Sequence, residues 1–143
     1  ALGAVDPYAH SMQWSRRFIG AKVFLSLLVA GWTGYAAVLR HQAAMGDLLR
    51  CRLRAAGWEI VNRTELPTVC FRDPELVRGG EEALRAVVQS VVESGSAWVS
   101  STRVGAGELV ARACITNYRT QPEDVEALVE SLGRARAARL AHI

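Results

Sequence analysis

Arg112 sits in the middle of an alternating run, between Val110-Ala111 and Ala113-Cys114-Ile115. A guanidinium needs an anion beside it if it is buried in such a strand. Its plainer uses are an ion pair with a structural acid or an exposed edge position, and the residues alone leave these open. Near the start, Gln13-Trp14-Ser15-Arg16-Arg17 places an aromatic anchor before a serine able to cap the helix that begins at Arg16. Lys22 is the only lysine. It stands between Ala21 and Val23 in a helical run, where a lysine ordinarily reaches for solvent or an acid. The three cysteines, Cys51, Cys70 and Cys114, are odd in number, far apart and set among apolar neighbours. That pattern reads as reduced core thiols of a cytoplasmic protein. No cysteine or histidine spacing suggests a metal site. His10, His41 and His142 have no sequence partner for a catalytic triad and read as two helical surface residues and one loop residue.

The elements that carry these residues follow from periodicity. A first helix runs from Arg16 to about Ala30. From Phe18 to Ala30 only Lys22 and Ser26 are polar, so every side of it is apolar, as in a helix buried all round. The run is shorter than the roughly 20 apolar residues a bilayer needs. Gly31 and Gly34 break it. A second helix, from Thr33 or Gly34 to about Ala56, turns Tyr35, Val38, Leu39, Met45, Leu48, Leu49 and Leu53 inward and ends at Gly57. Beyond Gly57 the period changes to two. Strands are expected over 58–62 and 68–72, then 97–104 and 108–116, each pair forming a hairpin. A helix over about 81–93 separates the hairpins. A last helix opens at Thr120-Gln121-Pro122-Glu123 with a capping pattern and a proline in its first turn. The fold class is therefore α+β: a four-stranded antiparallel sheet packed with helices and preceded by a long helical segment. Residues 1–56 read as linker and helices, and 57–143 as a small α+β domain.

At 143 residues, half of them apolar, the chain can build one core. Its formal charge is +3. The arginines alternate with acids along helices rather than clustering among aromatics, which argues against a nucleic-acid partner. The first residues do not read as a secretory signal, and no membrane partner is expected.

Several collinear segments carry a resemblance. They are Gln13-Trp14-Ser15-Arg16-Arg17-Phe18, Ala21-Lys22, the break Gly31-Trp32-Thr33-Gly34, Val69-Cys70-Phe71-Arg72, and Arg112-Ala113-Cys114-Ile115-Thr116-Asn117-Tyr118-Arg119-Thr120 with Glu123-Asp124-Val125. In this order and spacing the sequence resembles the C-terminal third of the group II pyridoxal-phosphate-dependent amino-acid decarboxylases, the aromatic-L-amino-acid and glutamate decarboxylase family. The resemblance spans essentially the whole chain.

It implies a fold-type-I enzyme, usually a homodimer, whose large cofactor domain lies before residue 1. Pyridoxal 5'-phosphate would be bound mainly by that domain. The lysine that carries it as a Schiff base follows a histidine in the family, which Lys22 does not, so no catalytic residue is expected in this chain and the chain alone is expected to be inactive. Arg112 falls where the glutamate-decarboxylase branch has an arginine holding the substrate's α-carboxylate, which implies a bidentate clamp. Trp14 and Ser15 fall in a segment lining the substrate pocket near the dimer interface. The apolar first helix would pack on the large domain, and the chain would start close to the end of a mobile catalytic loop, as the downstream piece of a cut or incomplete enzyme. The implied activity is decarboxylation of an L-amino acid, aromatic by preference. The reading from a different class is a stand-alone non-catalytic α+β module that binds a small ligand or dimerises.

Overall fold

A computed structural model describes residues 18–142; Trp14, Ser15, Arg16, Arg17 and His10 lie outside them. The chain divides into two compact units, 1–36 and 37–143. The elements in order are helix α1 (Ile19–Ala55), strands β1 (Glu59–Ile60) and β2 (Thr68–Arg72), a 3-10 turn (Leu76–Gly79), helix α2 (Gly80–Glu93), strands β3 (Ser100–Val104) and β4 (Glu108–Cys114), and helix α3 (Pro122–Leu140).

In the first unit, the expected break at Gly31 is a kink within α1. Gly31 has φ 64° and ψ 175°, a left-handed φ that favours glycine, while Gly34 stays helical. Around it Phe18, Ile19, Phe24, Leu28, Val29 and Trp32 are all more than 60% exposed. By length and composition alone α1 could also cross a membrane.

In the second unit the sheet order is β1-β2-β4-β3, all antiparallel. The two hairpins expected from the sequence join through β2 and β4, so β4 is a central strand. One face of the sheet presents Val69, Phe71, Ala111 and Ala113 to a core completed by Leu49 and Leu53 of α1, Val87 and Val91 of α2, and Val125 and Leu132 of α3. The ring of Trp58 meets Phe71 edge-on at 5.3 Å.

Element ends differ from the periodic reading for local reasons. β1 stops at Ile60, not Asn62, because the Asn62 side chain takes over the pairing: its Oδ1 accepts from Cys70 N at 2.8 Å and its Nδ2 donates to Thr68 O at 3.0 Å. β3 begins at Ser100 rather than Ala97, and β4 ends at Cys114, after which Ile115 N donates to Pro67 O at 2.9 Å. The cap of α3 is a capping box built by Gln121 and Asp124; Gln121 N donates to Asp124 Oδ2 at 2.8 Å. The cysteines are all free, but the expectation of three core thiols is corrected: Cys70 is buried, whereas Cys51 and Cys114 are exposed. Cys51 falls on the wet side of α1 and Cys114 on the sheet face opposite the helices.

Candidate anion site on the open sheet face

Side chains alternate along a strand, so Thr68, Cys70 and Arg72 of β2 and Val110, Arg112 and Cys114 of β4 share the face away from the core. The register places Cys70 and Ser100 on either side of Arg112, and Thr68 beside Cys114. Two arginines thus occupy one face in different states. Arg72 is neutralised: it donates to Glu59 Oε2 at 2.7 Å and pairs with Glu108. Hydrogen bonds first to Glu108 and then to Glu59 raise its pKa further.

Arg112 is exposed and, among the described residues, pairs with no carboxylate. Its side chain contacts Ser100 alone among the described hydrogen-bond partners, with Nε donating to Oγ at 3.3 Å. The structural ion pair that the sequence left open is therefore not formed among those residues. Nor is Arg112 at a sheet edge, since β4 is flanked on both sides. An unneutralised guanidinium fixed on a central strand can receive an external carboxylate or phosphate.

The groups around it do not supply a competing negative charge. Burial pushes the Cys70 thiol above its ordinary value of 9.0; the Arg112 charge offsets this in part, and Cys114 adds to the rise. At pH 8 Cys70 should therefore resist iodoacetamide in the folded protein while Cys51 and Cys114 are alkylated; peptide mapping by mass spectrometry checks it. The linkage sign follows. The folded thiol ionises at higher pH than the unfolded one, so its contribution to stability is complete below about pH 9 and declines as pH rises beyond it. Cys114 Sγ lies 3.3 Å from Thr68 Oγ1.

The segments flanking the site are tied down from α1. His41 Nε2 lies 2.7 Å from Thr120 O, which requires the tautomer protonated there, and Gln42 Nε2 donates to Thr116 O at 2.7 Å. His41 is thus a partly buried fastener of the loop after β4 rather than the surface residue expected. Arg50 is buried in the same helix. Its Nη1 donates to Asp47 Oδ1 at 2.8 Å, and Nη2 reaches the carbonyls of Thr64, Leu66 and Thr68 at 3.0, 2.6 and 3.2 Å. Arg50→Met should lower the urea midpoint by the equivalent of about 2–3 kcal/mol, because it strands the Thr64 and Leu66 carbonyls, whereas Thr68 O keeps the Asn62 amide; an unchanged midpoint would show that water replaces the guanidinium.

Trp98, 81% exposed, precedes β3 and lines a depression of about 430 Å³ with Cys114, Thr116, Asn117, Thr120 and Asp124. Sequence reasoning singled out neither Trp98 nor Ser100. The signal was the register of β3 on β4, which no local pattern encodes. Lys22 is exposed and, among the described residues, has no carboxylate partner.

No family model and no curated protein matches the sequence. Solved structures do. The chain is similar to Catharanthus roseus tryptophan decarboxylase in complex with L-tryptophan, at TM-score 0.76 and 22% identity, covering 94% of this chain and 29% of that one. It is similar to Oryza sativa TDC with PLP at TM-score 0.78 and 22% identity, covering 94% and 30%, and to Rhodiola rosea 4-hydroxyphenylacetaldehyde synthase at 0.73 and 22%, covering 94% and 29%. The fold is that of the C-terminal part of the group II pyridoxal-phosphate-dependent decarboxylases. This chain spans about three-tenths of the length of the structures it matches.

Proposed function

We propose that this chain is the C-terminal portion of a pyridoxal-phosphate-dependent enzyme that decarboxylates an L-amino acid, aromatic by preference, and that it supplies the small domain and part of the substrate pocket. The observation that carries the reading is Arg112: an exposed, fixed guanidinium with no acid partner among the described residues, on the central strand of a sheet with this fold. Arg112 binds the α-carboxylate through two parallel N–H donors and so orients the substrate. Trp14 and Ser15 form walls of the same pocket. Residues 1–56 connect to the part of the polypeptide that holds the cofactor, and 57–143 form the small domain.

The described residues do not fit as the cofactor's own cradle, so pyridoxal 5'-phosphate and its lysine are assigned to the rest of the polypeptide. There the cofactor serves as an electron sink. The apolar surface of residues 18–36 packs against that same part rather than in a bilayer. Matches covering 94% of this chain cannot leave all of 18–36 outside the shared fold, which supports the helix as a regular element of it. A cytoplasmic homodimer is the proposed setting.

The full-length polypeptide, supplied with pyridoxal phosphate, is incubated with each of the twenty L-amino acids and CO2 is captured. Release of CO2 with formation of the matching amine supports the reading. Absence of CO2 from every amino acid, in folded protein that retains no cofactor, overturns it in favour of a non-catalytic module. An aldehyde instead of the amine would place the activity nearer to that named for the Rhodiola protein.

A further inference from the structure

The hydroxyl across the ladder from Arg112 decides which edge of the guanidinium is free. Ser100 and Arg112 are direct cross-strand partners. Arg112 Nε donates to Ser100 Oγ at 3.3 Å, and the same hydroxyl donates to the Arg112 carbonyl oxygen at a long 3.5 Å. The two contacts are compatible because a hydroxyl has one proton to give and lone pairs to receive with. The proton goes to the backbone and a lone pair faces Nε.

A guanidinium can present two edges to a carboxylate. One is the Nη1/Nη2 end and the other the Nε/Nη2 side. With Nε engaged, the side edge is taken and the end edge remains. No other described side chain competes for that end.

We infer that Ser100 is a positioning residue: it occupies Nε of Arg112 and so presents the Nη1/Nη2 end of the guanidinium to the anion, fixing the direction from which the α-carboxylate docks. This rests on the carboxylate role of Arg112 proposed above. Ser100 itself touches no substrate.

The test uses the full-length holoenzyme, the L-amino acid it turns over fastest among the twenty, and the corresponding amine as inhibitor. The amine lacks the carboxylate and reports everything in the pocket except that contact. Ser100→Ala is expected to raise KM for the amino acid about three- to tenfold, the scale of one exposed hydrogen bond, and to leave the inhibition constant of the amine within twofold. Ser100→Thr keeps the hydroxyl and should restore KM. In an Arg112→Ala background, Ser100→Ala should add no further effect.

The inference is overturned if Ser100→Ala leaves KM unchanged, if it weakens amino acid and amine alike, or if Ser100→Thr behaves like Ser100→Ala. The Arg112 assignment fails separately, and takes this inference with it, if Arg112→Ala does not distinguish amino acid from amine. When Arg112→Ala distinguishes them and Ser100→Ala does not, only the positioning role falls.

Discussion

Arg112→Ala in the full-length enzyme is expected to raise KM for the amino acid by about ten- to a hundredfold, the scale of roughly 1.5–3 kcal/mol for hydrogen bonds to a charged group. The side chain is exposed and contributes no ion pair among the described residues, so its loss should change stability by no more than about 0.5 kcal/mol. Soluble, cofactor-loaded protein with a raised KM is therefore the signature. Arg112→Lys keeps the charge but loses the fork, and should fall between wild type and Ala. If the Ala variant is instead insoluble, the residue holds the fold together. If it is soluble with an unchanged KM, the substrate's carboxylate is held elsewhere.

Asp73→Ala should give the largest loss of stability of any single change here, about 2–4 kcal/mol, because it unpairs two backbone N–H donors and removes the buried partner of Arg136. Asp73 is 1% exposed at the end of β2. Its Oδ1 accepts from Glu75 N at 2.7 Å and Leu76 N at 3.0 Å, which starts the 3-10 turn. Its Oδ2 lies 2.5 Å from Arg136 Nε, a charge contact without the alignment of a good hydrogen bond. Arg136, from α3, also donates to Ala56 O at 3.0 Å and lies 5.8 Å over the Trp58 ring. One carboxylate thus links β2, α3 and the end of α1. Urea unfolding followed by Trp58 fluorescence reads the loss as a lower midpoint at constant slope. The double variant Asp73→Ala with Arg136→Met should lose less than the sum of the two singles, because both changes remove the same charge contact; after the first change Arg136 keeps only Glu75 Oε2, at 3.1 Å, as a carboxylate partner. Strict additivity would mean that the two side chains act independently.

Much of this architecture was legible because its cues are local. The run Thr68-Val69-Cys70-Phe71-Arg72 is a strand with the bounds expected. Gln121-Pro122 starts α3 where capping and proline chemistry require, and α2 begins one residue before the expected Glu81. The role of Asp73 was not legible. Asp73-Pro74 reads as a strand stop, and nothing local says that the carboxylate is buried against an arginine 63 positions later. The same limit applies to Asn62, whose amide imitates backbone, and to His41, whose acceptor comes from the far side of β4. Cys51 and Cys114 misled for different reasons: Cys51 stands between Arg50 and Arg52, and Cys114 alternates onto the sheet face away from the core. Arg112 lies between these cases: its strand was plain, but that it would be central, exposed and free of an acid among the described residues depended on the β2-β4 pairing.

The brevity of β1 also bears on self-association. With two residues in that outer strand and its continuation occupied by an amide side chain, this rim offers an arriving polypeptide almost no row of vacant donors to extend. The opposite rim is five residues long and carries Arg103, anchored to Glu81 and to the Gly107 carbonyl. Growth into fibrils by strand addition is thereby discouraged at the β1 margin, and the charged Arg103 side chain opposes it at the β3 margin.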